Sequence, residues 1–169
     1  MFQIGEYIIY GSNGVCKVKE IGNIKLGNHK SDKIFYTLEP VFCKGSTVYT
    51  PVDSDKVIMR ELISNEEAEK LIDEIPNIEF IWEANDKQRE QIFKDAMRKY
   101  DCREWIRVIK TLYLHKQERI SEGKKVTAID EKYLHLAEDS LYSELSLALV
   151  MPKEKVQDYI VGIVNSAKK

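Results

Sequence analysis

An α+β fold is predicted by a change in the character of the sequence at Ser64. Before Ser64, short runs of β-branched and aromatic residues alternate with turn signals, as in a small, strongly bent antiparallel sheet or barrel. After Ser64, apolar residues recur at the three- and four-residue spacing of amphipathic helices. We therefore expect a β domain at residues 1–62, followed by an all-α helical domain at residues 63–169.

The predicted strands are short and are separated by residues that favour turns. Asn13 and Gly14 predict a tight turn, because both residues tolerate a positive φ. Pro51 has no amide hydrogen, so the strand that contains it is expected at an edge of the sheet. Strands are predicted at residues 7–10, 15–24, 34–40 and 47–52, with a polar hairpin tip at 27–32.

The predicted helices begin at residues that cap helix N-termini. Ser64 and Glu67 have the spacing of a capping box, in which each side chain accepts a hydrogen bond from the other residue's backbone. Asp101 and Thr127 are expected to cap two further helices, and Pro152 suits the first turn of the last helix. Helices are predicted after Ser64, from about 86 to 99, from 101 to 121, from 127 to 150 and from 152 onwards.

The sequence contains no motif typical of an enzyme, a metal site or a membrane protein. Its three cysteines and three histidines lack the spacing of a zinc site, and the cysteines do not suggest a disulfide framework. No apolar run approaches the roughly 20 residues of a membrane helix, and residues 1–6 lack the pattern of a signal peptide. We expect a cytoplasmic, monomeric protein that is not an enzyme, uses no cofactor or metal and does not bind a membrane.

A basic segment lies at residues 82–125. It has twelve Lys/Arg against eight Asp/Glu, whereas residues 1–81 have nine against thirteen and residues 126–169 have five against seven. A basic segment with an aromatic residue at its edge suits a surface that contacts phosphates and inserts a ring between bases. The candidate DNA-binding residues are Trp82, Lys87, Arg89, Arg103, Arg107, Lys110, Lys124 and Lys125.

Each of these features has a second, purely structural interpretation. Trp82 is either a wedge at the minor groove or a core residue that packs the segment at 78–85 onto the helix that follows it. Arg103, Arg107 and Lys110 share one side of a helix, and that side either contacts phosphates or is only solvated. The edge strand at 47–51 either pairs with a partner's sheet or is kept from such pairing by its proline, which has no amide hydrogen to donate.

Short motifs also occur in a particular order along the chain. The first half contains Phe2-x-x-Gly5-Glu6-x-Ile8-Ile9-Tyr10-x-x-x-Gly14-Val15, Tyr36-x-Leu38, Thr50-Pro51-Val52 and Arg60-Glu61-Leu62-Ile63-Ser64. The second half contains Trp82, Leu112-Tyr113, Lys116-Gln117-Glu118-Arg119, Ala137-Glu138 and Leu141-Tyr142-x-Glu144-Leu145. In order and spacing these motifs resemble the CarD/CdnL bacterial transcription regulators, whose N-terminal module is shared with the transcription-repair coupling factor. The resemblance covers nearly the whole chain.

The resemblance implies a Tudor-like β domain that docks on the β-subunit lobe of bacterial RNA polymerase, partly through an edge strand. It also implies a helical domain that contacts the minor groove and backbone of promoter DNA at the upstream edge of the melted region. A tryptophan inserted there stabilises the open complex, and Trp82 is the candidate for that role. The polymerase-binding residues implied are Ile24, Lys25, Leu26, Val48, Tyr49 and Thr50.

The chain departs from the family pattern at both proposed contact regions. Ile24 and Tyr49 stand where arginine is expected, so docking is expected to rest more on apolar and backbone contacts. After Trp82, the first basic residues are delayed to Lys87 and Arg89. The function predicted is a regulator that stabilises the open complex without sequence specificity. The alternative is a protein–protein adaptor that uses the β domain and makes no DNA contact.

Overall fold

The chain forms two compact units, Met1–Leu62 and Ile63–Lys169. The computed structural model describes residues 1–81 and 85–167. In these residues, the first unit contains a five-stranded antiparallel sheet and the second contains five α-helices. The predicted α+β class is therefore confirmed. None of the described helices is long and apolar enough to cross a membrane.

Each strand of the first unit runs antiparallel to its neighbours in a single sheet. The strands are β1 (Tyr7–Tyr10), β2 (Val15–Leu26), β3 (His29–Pro40), β4 (Val48–Pro51) and β5 (Met59–Glu61), in the order β4-β3-β2-β1-β5. The register of the β2–β3 pair shifts between Val18 and Glu20, and again between Asn23 and Lys25. Irregularities of this kind bend a sheet and increase its twist. The core cluster of this unit consists of Ile8, Tyr10, Cys16, Val18, Tyr36 and Leu38.

The sheet differs from the sequence prediction at two places. β3 begins at His29, so the hairpin turns only at Gly27 and Asn28, whereas the sequence predicts a polar tip over 27–32. The polar residues at the start of β3 are mostly exposed, which removes the alternation by which a strand is recognised. The second difference is β5, which has no counterpart among the predicted strands. It is only three residues long and is defined by its pairing with β1.

Three helices of the helical unit begin at the predicted N-cap residues. Its helices are α1 (Asn65–Glu74), α2 (Asp86–Met97), α3 (Cys102–Ser121), α4 (Ala128–Ala148) and α5 (Lys153–Ala167). In the capping box, the Glu67 N–H donates to Ser64 Oγ at 3.1 Å, and the Ser64 N–H donates to Glu67 Oε2 at 2.7 Å. Asp101 and Thr127 cap α3 and α4, as predicted, and Asn85 caps α2.

The core of the helical unit is built around α3, which packs against α2 and α4. The buried face of α3 includes Trp105, which is 2% exposed, and Leu112, which is 1% exposed. Glu144 of α4 is also fully buried. Its carboxylate accepts from the Ile63 N–H at 2.9 Å and from the Cys102 thiol at 3.0 Å. These bonds join α4 to the start of the unit and to the start of α3.

Candidate protein- and nucleic-acid-binding surfaces

β4 lies at one edge of the sheet, as the proline in its sequence predicts. The Val52 N–H donates to the Ile34 carbonyl at 3.0 Å, which fixes the hydrogen-bonding phase of the β3–β4 ladder. Because antiparallel pairs alternate, the backbone of Thr50 faces β3, whereas the N–H and C=O of Tyr49 point towards the open edge. Pro51 offers a carbonyl there but no donor. Tyr49 is therefore positioned to bond to an added strand.

Three of the six predicted docking residues lie around one groove. Ile24, Lys25 and Tyr49 line an open depression of about 600 Å³ on the β2–β3–β4 side of the sheet, here called the β4 groove. The Tyr49 side chain is 56% exposed. Val48 packs against the core and Thr50 is 2% exposed, so their side chains face inwards. The Leu26 side chain lies outside the described part of the protein.

The two arginines at the start of α3 are accessible, but each has a carboxylate partner. Arg103 donates to Glu74 Oε2 at 2.7 Å, which joins α3 to α1. This hydrogen bond lowers the pKa of Glu74. Arg107 donates to Glu104 Oε2, three residues earlier on α3, at 3.1 Å. The Arg103–Glu74 pair is largely exposed and the Arg107–Glu104 pair is partly exposed. Accessible pairs are weak, so both guanidinium groups can exchange these partners for others.

Lys110 does not share the exposed face that its spacing from Arg103 and Arg107 predicts. Its ammonium donates to the carbonyls of Ile75 and Ile78 at 2.7 and 2.6 Å. It also lies 4.8 Å from the centroid of the Phe80 ring. Burial lowers the pKa of this ammonium. The physical reason for the difference is that residues 75–81, here called the connector, pack along α3 at this position.

Arg89 is likewise held inside the helical unit, although the sequence predicts it at the DNA surface. Its guanidinium donates to Asp130 Oδ1 at 3.2 Å, and the two side chains are 12% and 3% exposed. Asp130 Oδ2 lies 2.6 Å from Nδ1 of His115, and Arg89 Nη1 lies 3.3 Å from Nε2 of the same ring. The His115 ring therefore lies between the Arg89 guanidinium and the Asp130 carboxylate. This network joins α2, α3 and α4.

Both halves of the chain match models of known domain families. A model described as the CarD-like/TRCF RID domain matches residues 2–63, and one described as the CarD C-terminal domain matches residues 75–161. The chain belongs to the CarD family. It is a CarD-like transcription factor that interacts with RNA polymerase, and the family points to a regulator without enzymatic activity. No curated protein matches the chain at a significant level.

The CarD C-terminal match includes the connector, α2 and α3, and with them the basic segment. Lys87 is exposed in the first turn of α2, and Lys124 and Lys125 are exposed after α3. Lys124 forms a surface ion pair with Glu122 at 3.2 Å. Trp82, the predicted wedge, lies outside the described residues. In the described part of the chain, no cluster of three or more His, Cys, Asp or Glu side chains is arranged to hold a metal ion.

A second basic feature of this CarD-family chain was not singled out from its sequence. Lys94 is exposed on α2 and Arg98 is exposed at its C-cap, seven and eleven residues after Lys87. At 3.6 residues per turn, this spacing places all three side chains on one side of the helix. We call these three residues the α2 basic stripe. The spacing of these residues was visible in the sequence. Only the structure shows that they are exposed, whereas Arg89 on the same helix is bonded inside the unit.

Proposed function

We propose that this protein docks on the β-subunit lobe of bacterial RNA polymerase through its β unit and stabilises the promoter open complex through its helical unit, acting as a monomer. Docking raises the local concentration of the helical unit beside the DNA, so weak contacts suffice. These contacts need no base specificity, because they are made to phosphates and to the minor groove. A preference of about 1.4 kcal/mol for the open state shifts the equilibrium about tenfold.

The observation that carries this proposal is the match of both halves to CarD-family domains, in the order β unit then helical unit. The geometry of β4 supports the docking half. An edge strand with an outward N–H and C=O at Tyr49 suits strand addition, in which main-chain hydrogen bonds supply affinity. The β4 groove beside it provides a site for side chains of the added strand. Ile24 and Tyr49 give that groove apolar contacts where the family pattern has arginine.

Tyr49→Pro is expected to weaken polymerase binding more than Tyr49→Ala does. Proline removes the outward N–H, whereas alanine removes only the side chain and keeps the donor. The N–H at Tyr49 does not take part in the β3–β4 ladder, so the fold should survive either change. A pull-down of polymerase with each variant, checked by circular dichroism, measures the difference. Equal binding by the two variants would contradict docking by strand addition at β4.

The α2 basic stripe and the exposed Lys124 and Lys125 support the DNA half of the proposal. Lys87, Lys94 and Arg98 follow Trp82 in the sequence, so the proposed wedge and the proposed phosphate contacts are near neighbours along the chain. We assign minor-groove insertion to Trp82 and backbone contact to these basic residues. The assignment does not depend on Arg89, Arg103, Arg107 or Lys110, whose charges have partners within the helical unit.

Neutralising the α2 basic stripe is expected to reduce the salt dependence of binding to a polymerase–promoter complex. Each phosphate contact contributes about 0.9 to the slope of log K against log salt, so Lys87→Gln, Lys94→Gln and Arg98→Gln together should lower it by up to about 2.7. The matched control is Arg103→Gln with Arg107→Gln, two bases that already have carboxylate partners. A larger change in the control than in the stripe variant would place the phosphate contacts on α3 instead.

The alternative function, a protein–protein adaptor, is favoured by one specific observation. Five of the eight predicted DNA-binding side chains, Arg89, Arg103, Arg107, Lys110 and Lys124, are bonded to partners within the helical unit. Footprinting of a polymerase–promoter complex with and without the protein separates the two functions. The proposal predicts new protection in the minor groove at the upstream edge of the bubble. The adaptor predicts polymerase binding with an unchanged DNA footprint.

A further inference from the structure

The connector is fastened to α3 by side chains that follow one another on that helix. Ile78 and Ile81 are 4% and 6% exposed, so the connector is packed against the core as well as hydrogen bonded to it. The Lys110 ammonium bonds to the Ile75 and Ile78 carbonyls, and the next residue, Thr111, accepts from the Ile81 N–H at 2.8 Å. Both ends of the connector are therefore held by two neighbouring residues.

The charge of Lys110 is used to satisfy backbone carbonyls in a partly buried site. The short 3-10 helix at Ile75–Asn77 ends here, and its Ile75 carbonyl also accepts from the Ile78 N–H at 3.1 Å, so the ammonium is a second donor to that carbonyl. The ammonium provides two short hydrogen bonds to this region, and the nearby Phe80 ring adds a cation–π contact. A side chain committed in this way is poorly placed to contact a phosphate, because its donors are directed into the protein.

The Thr111 hydroxyl both donates and accepts a hydrogen bond. Oγ1 donates to the Arg107 carbonyl, one turn earlier on α3, at 2.7 Å, and accepts from the Ile81 N–H. The donated bond fixes the rotamer of the hydroxyl, and the accepted bond fixes the backbone of Ile81. Trp82 is the next residue in the sequence, so the anchored N–H of Ile81 lies one residue before it.

We propose that Lys110 and Thr111 are positioning residues for DNA contact: they hold the connector on α3 and so fix the point at which the chain leaves Ile81 towards the DNA-contacting residues. This inference rests on the proposed function. It reverses the role predicted for Lys110 from its spacing, since the residue acts on the protein backbone and not on a phosphate. Stabilisation of the open complex then depends on Lys110 although the salt dependence of binding does not.

The test uses full-length Lys110→Met, which keeps the aliphatic stem and removes the ammonium. We expect it to raise amide hydrogen exchange over residues 78–81 about tenfold or more, because two charge-assisted bonds are lost. We expect it to shorten the open-complex lifetime several-fold while leaving the salt slope of binding unchanged. Lys110→Arg should not restore the lifetime, because a planar guanidinium cannot replace a compact ammonium between two carbonyls. A phosphate contact would instead be preserved by arginine.

Thr111→Val provides a second variant of nearly unchanged shape that keeps the Lys110 charge. It should also increase exchange at Ile81 and shorten the lifetime. The proposal is overturned if Lys110→Met lowers the salt slope by about one, which marks a phosphate contact. It is also overturned if exchange rises in both variants while the lifetime stays at the wild-type value. Failure of the proposed function would look different, because the wild-type protein itself would then leave the open-complex lifetime unchanged.

Discussion

Replacing Trp82 with alanine is expected to shorten the lifetime of the promoter open complex about tenfold or more, while polymerase binding and the fold are kept. Stacking of an aromatic ring on a base is worth about 1–3 kcal/mol. If the Trp82 ring makes this contact only in the open state, its loss speeds decay of the open complex about tenfold for each 1.4 kcal/mol of lost stacking. The measurement is the rate of open-complex decay after addition of a DNA competitor, with wild-type and variant proteins at saturating concentration.

The control for this prediction is the other tryptophan of the chain, Trp105. It is 2% exposed in the core of the helical unit, so Trp105→Ala should lower the free energy of unfolding by about 3–5 kcal/mol. Thermal melting and open-complex decay should be measured on both variants. If Trp82→Ala melts like Trp105→Ala and loses polymerase binding, Trp82 is a core residue, and the wedge has to be sought elsewhere.

Asp130→Ala is expected to destabilise the helical unit by about 3–5 kcal/mol, because it removes the buried carboxylate that pairs with Arg89. His115 loses the same partner, so the network between α2, α3 and α4 is broken at its centre. The matched control is Glu131→Ala. Glu131 lies in the same first turn of α4 but is exposed, and its loss should cost less than about 1 kcal/mol.

Chemical denaturation of both variants measures this difference. Similar losses of stability in Asp130→Ala and Glu131→Ala would show that the Arg89 network does not hold the helices together. Arg89→Met should reproduce the instability of Asp130→Ala, whereas Lys87→Met, on the exposed side of α2, should leave stability within about 0.5 kcal/mol. This pair of variants separates a basic residue that supports the fold from one proposed to contact DNA.

The parts of the fold that depend on local sequence were predictable. Ser64, Asp101 and Thr127 cap helices because their side chains reach amides two or three residues away, so the sequence alone contains the whole interaction. β5 was not predictable in this way, since three residues hold no periodicity and the strand exists through its pairing with β1. The extension of β3 back to His29 likewise depends on its pairing with β2.

The candidate surfaces were less predictable, because they depend on groups distant in sequence. Helical spacing gives the direction in which Arg89 and Lys110 leave their own helices, but not what lies there. The partner of Arg89 is Asp130, which is 41 residues away, and Lys110 meets the carbonyl of Ile75, 35 residues before it. The three residues of the α2 basic stripe are exposed, so for them the helical spacing alone indicates a surface position.

The most direct test of the account is the half-life of a polymerase–promoter open complex, measured with and without saturating protein. We predict a half-life about tenfold longer with the protein, corresponding to a preference of about 1.4 kcal/mol for the open state. Co-purification of the protein with polymerase in the same reaction confirms that docking has taken place. An unchanged half-life for a promoter complex that demonstrably contains the docked protein would contradict open-complex stabilisation and favour the adaptor.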